Sequence, residues 1–203
     1  MFSSERTIVS TNTIIRTGSE ILNFLEHTKG FLELPGVSEL SFGAGDSIIQ
    51  QGQMGNDIFL IRDGLTKCFV TEENGKEFVQ EFLGKGQLVG EIELLLGGLS
   101  FCSVIALSKV SALKISRLAF AEVKAAYPHF NVLLSKALAV KLKDTAIRAS
   151  YQQTYSTEKT LKNLMMLSKD TKVRLIKSDI SSYLGITARA LNRLLKKLDS
   201  EQI

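Results

Sequence analysis

Apolar positions in the last part of the chain follow two helical repeats that are separated by a short turn. Ile180, Tyr183 and Leu184 form one apolar face, and Gly185 follows them directly. We predict a helix that begins at Ser178, whose hydroxyl suits an N-cap, and that ends at Gly185, because glycine readily takes the left-handed conformation found after helix ends.

The second helical repeat is strongly amphipathic, and Thr187 is its predicted N-cap. Leucines spaced i, i+3, i+4 and i+7 form its apolar face: Leu191, Leu194, Leu195 and Leu198. Polar and basic residues repeat that spacing on the other face: Arg189, Asn192, Arg193 and Lys196. Two helices joined by Gly-Ile-Thr, the second of them basic, are typical of a helix-turn-helix, which places its second helix in the DNA major groove. The alternative is a basic face that is merely solvated.

Short apolar runs with a strand-like period fill residues 37–115. Glycines recur between these runs, and Asn74-Gly75 is a strong signal for a hairpin turn. Further candidate strands cover residues 79–83 and 101–107. Closely spaced strands with turn signals predict a β sandwich or rolled barrel rather than a dinucleotide-binding α/β unit.

Residues 128–155 have no internal glycine or proline and predict one long helix. A heptad-like seam runs along it: Leu138, Leu142, Thr145, Ala149 and Gln152. At 1.5 Å per residue the helix is about 40 Å long, which is more than a small domain can cover. We therefore predict a homodimer built along this helix; packing on the β domain is the alternative.

These patterns predict an α+β protein in three parts: a β domain over 1–127, a dimerisation helix over 128–155 and a helix-turn-helix domain over 156–203. Shorter elements are predicted as a helix over 18–29 capped by Ser19, a helix from Ser116 to 126, a helix over 157–168 capped by Ser156, and a strand over 172–176. Ser156 is also the predicted hinge between the domains.

Positive charge is concentrated in the C-terminal part. Residues 156–203 contain ten lysines and arginines and five acidic residues, a net +5, whereas the whole chain carries +4 and the remainder therefore −1. A local positive potential of this kind attracts phosphate groups. The sequence has no apolar run long enough to span a membrane and no signal segment, which predicts a cytoplasmic protein without membrane contact.

Catalytic and metal-binding patterns are not recognisable. Cys68 and Cys102 lie in strand-like apolar runs, which favours buried small hydrophobic residues over a disulfide or metal pair. His27 and His129 lack the spacing of a metal site and are predicted at the surface near helix ends. Without a Ser-His-Asp set, a P-loop or paired carboxylates, we predict no enzyme and no certain cofactor.

Three segments of the predicted β domain resemble a known domain family. Together they resemble the cyclic-nucleotide-binding β-roll, a double-stranded β-helix or jelly roll. The segments are Phe-Gly-Ala-Gly-Asp-Ser-Ile-Ile-Gln-Gln-Gly at 42–52, Ile-Phe-Leu-Ile-Arg-Asp-Gly at 58–64 and Phe-Leu-Gly-Lys-Gly-Gln-Leu-Val-Gly-Glu at 82–91. With the long helix and the helix-turn-helix, which is winged-helix-like in such proteins, the chain resembles the Crp/Fnr family of bacterial transcription regulators from residue 37 onward.

The resemblance implies an effector site that opens at Gly90 and Glu91. In cyclic-AMP-responsive members the glutamate accepts from the ribose hydroxyl, and an arginine about ten residues later pairs with the cyclic phosphate beside a small hydroxyl residue. Those two positions fall on Phe101 and Cys102 here. We therefore expect an unidentified effector other than a cyclic nucleotide, or none. The alternative is a cyclic nucleotide held by backbone amides or by Ser100 and Ser103. Thr145 falls near the place where family members touch the adenine; the alternative for it is a plain seam residue.

The resemblance also implies partners: double-stranded DNA, a second copy of the chain along 128–155, and RNA polymerase as a further candidate. The predicted DNA-binding residues are Lys177, Ser178, Thr187, Arg189, Asn192, Arg193 and Lys196. Family members continue into a β-hairpin wing where this sequence ends at Ile203. The alternative function is accordingly a ligand-binding or partner-docking module whose helix-turn-helix no longer reads DNA.

Overall fold

Two β-sheets form the N-terminal part of the protein, and helices cover their outer faces. The computed structural model describes residues 14–154, 157–171 and 175–200. The strands are β1 Ile15–Arg16, β2 Val37–Phe42, β3 Ser47–Ile49, β4 Asp57–Asp63, β5 Thr66–Thr71, β6 Glu77–Leu83, β7 Leu88–Val89, β8 Ser103–Ala106 and β9 Val110–Ser116. The helices are α1 Glu20–Glu26, α2 Glu91–Leu96, α3 Arg117–Ala126, α4 Pro128–Thr154, α5 Thr157–Thr171, α6 Lys177–Leu184 and α7 Ala188–Ser200. The α+β class is confirmed.

The strands are arranged as a five-stranded sheet in the order β1-β6-β5-β8-β3 and a four-stranded sheet in the order β2-β9-β4-β7. Side chains of β4 alternate between two cores, as the period of two requires. Phe59 and Ile61 pack between the sheets, whereas Ile58 and Leu60 pack against the helices on the outer side. The rolled β domain predicted from the sequence is confirmed.

The predicted Asn-Gly turn joins β5 to β6. Gly75 has a φ of 75°, a left-handed conformation that glycine adopts without a steric penalty. The Glu72 amide donates to the Lys76 carbonyl at 2.9 Å, and the Lys76 amide donates to the Asn74 side chain at 3.0 Å. This hairpin fixes the register of the two strands on which the C-terminal helices rest.

Helices α1, α3 and α4 cover the outer face of the four-stranded sheet. Ile21, Leu22 and Leu25 of α1 are buried there, as predicted. Ser116 caps α3 by accepting from the Ala119 amide at 3.2 Å, also as predicted. Ser19 occupies the N-cap position of α1, but its side chain makes no capping hydrogen bond there.

Helix α4 extends beyond the sheet that its first turns cover. Leu138 packs partly against the outer core, whereas farther along the seam Leu142 is 73% exposed and Thr145 and Ala149 are also exposed. An apolar side chain left in solvent on a long helix offers a surface for a partner helix.

Helices α5, α6 and α7 form a small core of their own around Leu161, Leu191 and Leu198. Gly185 ends α6 with a φ of 66°, and the Ala190 amide donates to the Thr187 hydroxyl at 3.2 Å. The predicted glycine stop, threonine cap and leucine face of the helix-turn-helix are therefore confirmed.

Five predicted details differ from the structure. The helix predicted over 18–29 is α1, which covers only Glu20–Glu26. Ser178 lies inside α6, because Ile176 holds the extended backbone of the N-cap position. β8 is shorter than residues 101–107, because the Phe101 amide donates to the Glu93 carboxylate instead of a neighbouring strand. The helix predicted over 157–168 extends to Thr171. The strand predicted over 172–176 lies mostly outside the described residues, as does Ser156, and the two residues described from it, 175–176, are not in a strand.

Candidate effector pocket and DNA-binding helices

A small cavity opens between the two sheets, the start of α2 and the middle of α4. Its lining includes the predicted effector residues Gly90, Glu91, Phe101 and Cys102, together with Lys141. The space open to the centre of a water molecule is about 30 Å³, which is room for one or two waters. Side chains therefore fill most of the place that the resemblance assigns to an effector.

Gly90 shapes the entrance to α2. Its φ is 88°, and a Cβ on this residue would lie 2.6 Å from the carbonyl oxygen of Asp57. Both the left-handed backbone and the close approach of β4 require glycine here. The next residue, Glu91, starts α2 and is only 2% exposed, so its carboxylate points inward and needs a partner.

Lys141 supplies that partner from α4. Its Nζ atom donates to Glu91 Oε1 at 2.7 Å and to the Leu88 carbonyl at 2.8 Å. Because Glu91 is almost fully buried, this pair lies in a low-dielectric setting where a charge without a counter-charge is costly. No signal in the sequence pointed to Lys141, which lies 50 positions after Glu91.

The other predicted effector residues are placed differently. Phe101 stands at the rim with 49% of its surface exposed. Thr145 is exposed and donates to the Lys141 carbonyl at 2.8 Å, and it is not among the cavity's described lining residues. The structure therefore brings Gly90, Glu91, Phe101 and Cys102 together and leaves Thr145 outside.

Cys102 and Cys68 meet at the cavity wall. Both are buried, as expected, and the Cys68 thiol donates to Cys102 Sγ at an S–S distance of 2.9 Å. This hydrogen bond, followed by burial, raises the pKa of Cys68 well above its usual value. The contact itself was not predicted, because the two residues are 34 positions apart. Among the described residues, no group of three or more histidine, cysteine and acidic side chains is placed to hold a metal ion.

The predicted DNA-binding residues lie on the outer side of the helix-turn-helix. Arg189, Asn192, Arg193 and Lys196 are all exposed on α7, opposite its buried leucines. Thr187, Lys177 and Ser178 are also exposed. Lys177 Nζ donates to Asn192 Oδ1 at 2.9 Å and so joins α6 to the exposed face of α7.

The inner side of α6 rests on the five-stranded sheet, an arrangement that the sequence did not predict. Lys67 Nζ of β5 donates to Asp179 Oδ1 at 2.6 Å, and the two side chains are 7% and 4% exposed. The Ser182 hydroxyl donates to the Glu77 carbonyl at 2.6 Å and accepts from the Val79 amide at 3.0 Å. Hydrogen bonds and a buried ion pair thus connect the helix-turn-helix directly to the β domain.

Tyr183 and Arg148 complete this contact, which we call the α6–β6 contact. The Tyr183 ring stacks on Phe82 with 5.3 Å between centroids, and the Arg148 guanidinium lies 4.0 Å from the Tyr183 centroid. Arg148, from α4, also donates to the backbone oxygens of Val79 and Tyr183. Burial lowers the pKa of Arg148 and raises the pKa of Tyr183. Three parts of the chain therefore meet at one ring.

Comparison with known proteins agrees with this architecture. The model of the cyclic nucleotide-binding domain matches residues 39–127. The cAMP-activated global transcriptional regulator CRP of Salmonella typhimurium is 23% identical over 168 residues, which span 77% of this chain and 80% of that protein. The fold and the matched domain thus define a cyclic nucleotide-binding domain joined to a helix-turn-helix.

Solved structures show the same fold. The c-di-GMP responsive global regulator CLP of Xanthomonas campestris superposes with a TM-score of 0.73 at 18% identity, covering 85% of this chain and 92% of that one. A transcriptional regulator of the CRP/FNR family from Thermus thermophilus gives a TM-score of 0.69 at 18% identity, covering 81% and 87%. Together with the CRP relative, these matches confirm the resemblance to Crp/Fnr regulators drawn from the sequence, and the solved structures show that the fold is shared. None of the helices in the described part of the chain is both long and apolar enough to cross a membrane.

Proposed function

We propose that the protein is a cytoplasmic, dimeric regulator that binds double-stranded DNA in a sequence-specific manner through α7. The observation that carries the proposal is the exposed face of α7, which has three cations and one amide opposite a buried leucine face. In the described part of the chain, none of Arg189, Arg193 and Lys196 has an ion-pair partner. Cations presented in this way can contact phosphates and the acceptor edge of guanine.

The individual roles follow from position along the two helices. Arg189 and Arg193 would contact base edges near the start of α7, and Asn192 a base or a phosphate. Phosphate contacts are assigned to the residues at the edge of this face: Lys177, Ser178, Thr187 and Lys196. A two-fold dimer would place two such helices in successive major grooves, about one DNA turn apart.

The dimer is proposed along α4, where the exposed Leu142 and Val140 lie beyond the part of the helix that covers the sheet. This assigns residues 1–127 to the sensor, 128–155 to the dimer helix and 156–203 to the DNA-binding domain. RNA polymerase remains a candidate partner of the DNA-bound dimer.

We do not expect cyclic AMP to control this protein through the usual contact between its phosphate and an arginine. A cyclic phosphate needs a cation, but Phe101 stands at the expected arginine position. Lys141 is the only cation among the described residues that line the cavity, and it is already paired with Glu91. Loss of a bidentate charge-assisted pair lowers affinity roughly a thousandfold. Isothermal titration calorimetry with cyclic AMP should give no binding heat; micromolar binding would overturn this part of the proposal.

We further propose that the α6–β6 contact is one of two positions of the DNA-binding domain. An effector at the cavity would have to bind the two positions unequally in order to shift the population between them. Lys141 touches the cavity and Arg148 touches Tyr183 on the same helix, two turns apart, so α4 connects both sites physically.

Three variants test the DNA-binding assignment by fluorescence anisotropy at several salt concentrations. Arg189→Ala should reduce discrimination between a selected site and a scrambled one by about 1–3 kcal/mol. Lys196→Ala should weaken binding to both DNAs about equally and lower the salt dependence by about one unit. Lys197→Ala is the matched control, because it removes the same charge from α7 at a residue that pairs with Glu158 at 2.7 Å. Equal effects of all three variants would overturn the assignment.

A further inference from the structure

The two cysteines of the chain form a buried thiol pair inside the candidate effector pocket. Cys68 lies on β5, where its strand partner on β8 is Val104, and Cys102 lies two residues before Val104. The thiols are 5% and 6% exposed and belong to the same core cluster between the sheets. Their sulfurs are 2.9 Å apart, closer than two unbonded sulfurs that merely pack together.

We propose that Cys68 and Cys102 form a reversible disulfide when the protein meets a peroxide, and that this pair is an oxidation site in the wall of the pocket. A disulfide needs a sulfur–sulfur distance of about 2.05 Å. The sulfurs, now 2.9 Å apart, would have to approach by roughly 0.9 Å to form this bond. The proposal rests on the chain's own geometry and does not depend on DNA binding.

Access for the oxidant is provided by the cavity. Its water-accessible space of about 30 Å³ is lined by both cysteines and opens beside the half-exposed Phe101. Hydrogen peroxide is only slightly larger than water, whereas glutathione disulfide is far too large for this space. We therefore expect a small peroxide to oxidise the pair directly and a bulky disulfide to react slowly.

The reaction balances with peroxide as the only added reagent. Cys102, whose sulfur accepts the hydrogen bond from Cys68, loses its proton, and the sulfur attacks one peroxide oxygen. An S–O bond forms as the O–O bond breaks, the leaving hydroxide takes up the proton and departs as water, and Cys102 becomes a sulfenic acid. The Cys68 sulfur then attacks the Cys102 sulfur, the S–O bond breaks and a second water leaves. Two thiols and one peroxide yield one disulfide and two waters. The Cys68 thiol must lose its proton to close the disulfide, and the hydrogen bond to Cys102 and burial raise its pKa, so this closing step should accelerate with rising pH.

The disulfide would tie β5 to the segment that follows α2. Lys67, which pairs with Asp179 of α6, directly precedes Cys68 on β5. The oxidation site therefore lies one residue from the α6–β6 contact, on the opposite face of the same strand. Oxidation would thus link Cys102 in the pocket wall covalently to β5, the strand whose Lys67 takes part in the α6–β6 contact.

The test is peroxide treatment of the purified chain at one equivalent, followed by unfolding and labelling of thiols with N-ethylmaleimide. The reduced chain should take up two labels, one for each cysteine in the sequence. The treated chain should take up none, lose about 2 Da as a monomer, and regain both labels after dithiothreitol. Peptide mapping should show a cross-link between the peptides that contain Cys68 and Cys102.

Two controls make the result specific. The same treatment in urea with dimedone present should shift the product from the intramolecular disulfide toward dimedone-trapped sulfenic acid, because unfolding separates the second thiol from the sulfenic acid. Cys68→Ser should give a Cys102 sulfenic acid that traps dimedone, and Cys102→Ser should trap dimedone more slowly at Cys68, whose raised pKa keeps it protonated; faster trapping at Cys68 would reverse the order of the two steps. Two labels retained on the treated native chain, a disulfide-linked dimer as the main product, or the same share of dimedone-trapped product with and without urea would overturn the proposal.

Discussion

The ion pair between Lys67 and Asp179 should be the most sensitive point of the α6–β6 contact. The Lys67→Met variant leaves Asp179, 4% exposed, without the cation that now lies 2.6 Å away. Removing one partner of a buried ion pair typically costs about 3–5 kcal/mol, because the remaining charge stays desolvated. Asp179→Asn should cost less, since Lys67 keeps Glu77 at 3.5 Å and Glu77 is partly exposed.

The cost of Lys67→Met has an upper limit. If α6 leaves the sheet, Asp179 returns to water, so the loss cannot exceed the free energy that holds the contact together. If Lys67→Met lowers the free energy of unfolding by less than about 3 kcal/mol and α6 is released, that decrease equals the free energy that holds the α6–β6 contact together. Replacing both residues, as Lys67→Met with Asp179→Leu, should recover most of the stability, because no unpaired charge remains.

The assay combines urea unfolding with hydrogen exchange. The four chains compared are the unchanged chain, Lys67→Met, Asp179→Leu and the double variant. The Val79 amide donates to Ser182 Oγ across the contact, so it should lose protection when α6 is released. Lys136→Met is the matched control: Lys136 also pairs at 2.6 Å, with Glu20, but both side chains are more than half exposed. An exposed pair contributes about 0–1 kcal/mol. If Lys67→Met costs no more than Lys136→Met and Val79 stays protected, the described contact is wrong.

Three further predictions concern the pocket, the pH range and the dimer. Lys141→Met should destabilise the β domain by about 3–5 kcal/mol in urea unfolding, because Glu91 is left buried, and Glu91→Gln in the same chain should restore most of it; no loss would mean that Glu91 reaches water. Burial raises the pKa of Tyr183 in the folded chain above 10.0. The buried neutral phenol therefore contributes fully to the free energy of unfolding below about pH 10, and this contribution is lost as the pH rises through the higher pKa of the folded chain. Tyr183→Phe should remove that alkaline loss of unfolding free energy, and an unchanged pH profile would contradict the burial of this ring. Leu142→Asp should convert dimer to monomer in light scattering, whereas an unchanged mass would contradict a dimer along α4.

The local features of the chain could be predicted from its sequence. Turns, caps and amphipathic faces depend on residues a few positions apart, so Gly75, Ser116 and Gly185 were assigned correctly. Ser178 was not, because the extended residue that precedes α6 is Ile176 and the cap makes no side-chain hydrogen bond. Serine is preferred at the N-cap but does not have to occupy it, and the packing of α6 on the sheet fixes where this helix begins.

The contacts that define the two sites could not be predicted. Lys141 reaches Glu91 across 50 positions, and Lys67 reaches Asp179 across 112. In the sequence each is one lysine among the twenty-five lysines and arginines of the chain, and no periodicity marks it. Such pairs follow from how the helices lie on the sheets, which local patterns do not encode. The Cys68–Cys102 contact was missed for the same reason.

The central claim is that α7 reads DNA as one half of a dimer, and selection of binding sites from a random DNA pool tests it most directly. The purified chain should enrich a pseudo-palindromic motif whose half-sites lie about one helical turn apart. Arg189→Ala should relax the motif at its base positions, while Lys197→Ala should enrich the same motif as the unchanged chain. A pool without any enriched motif would contradict the account.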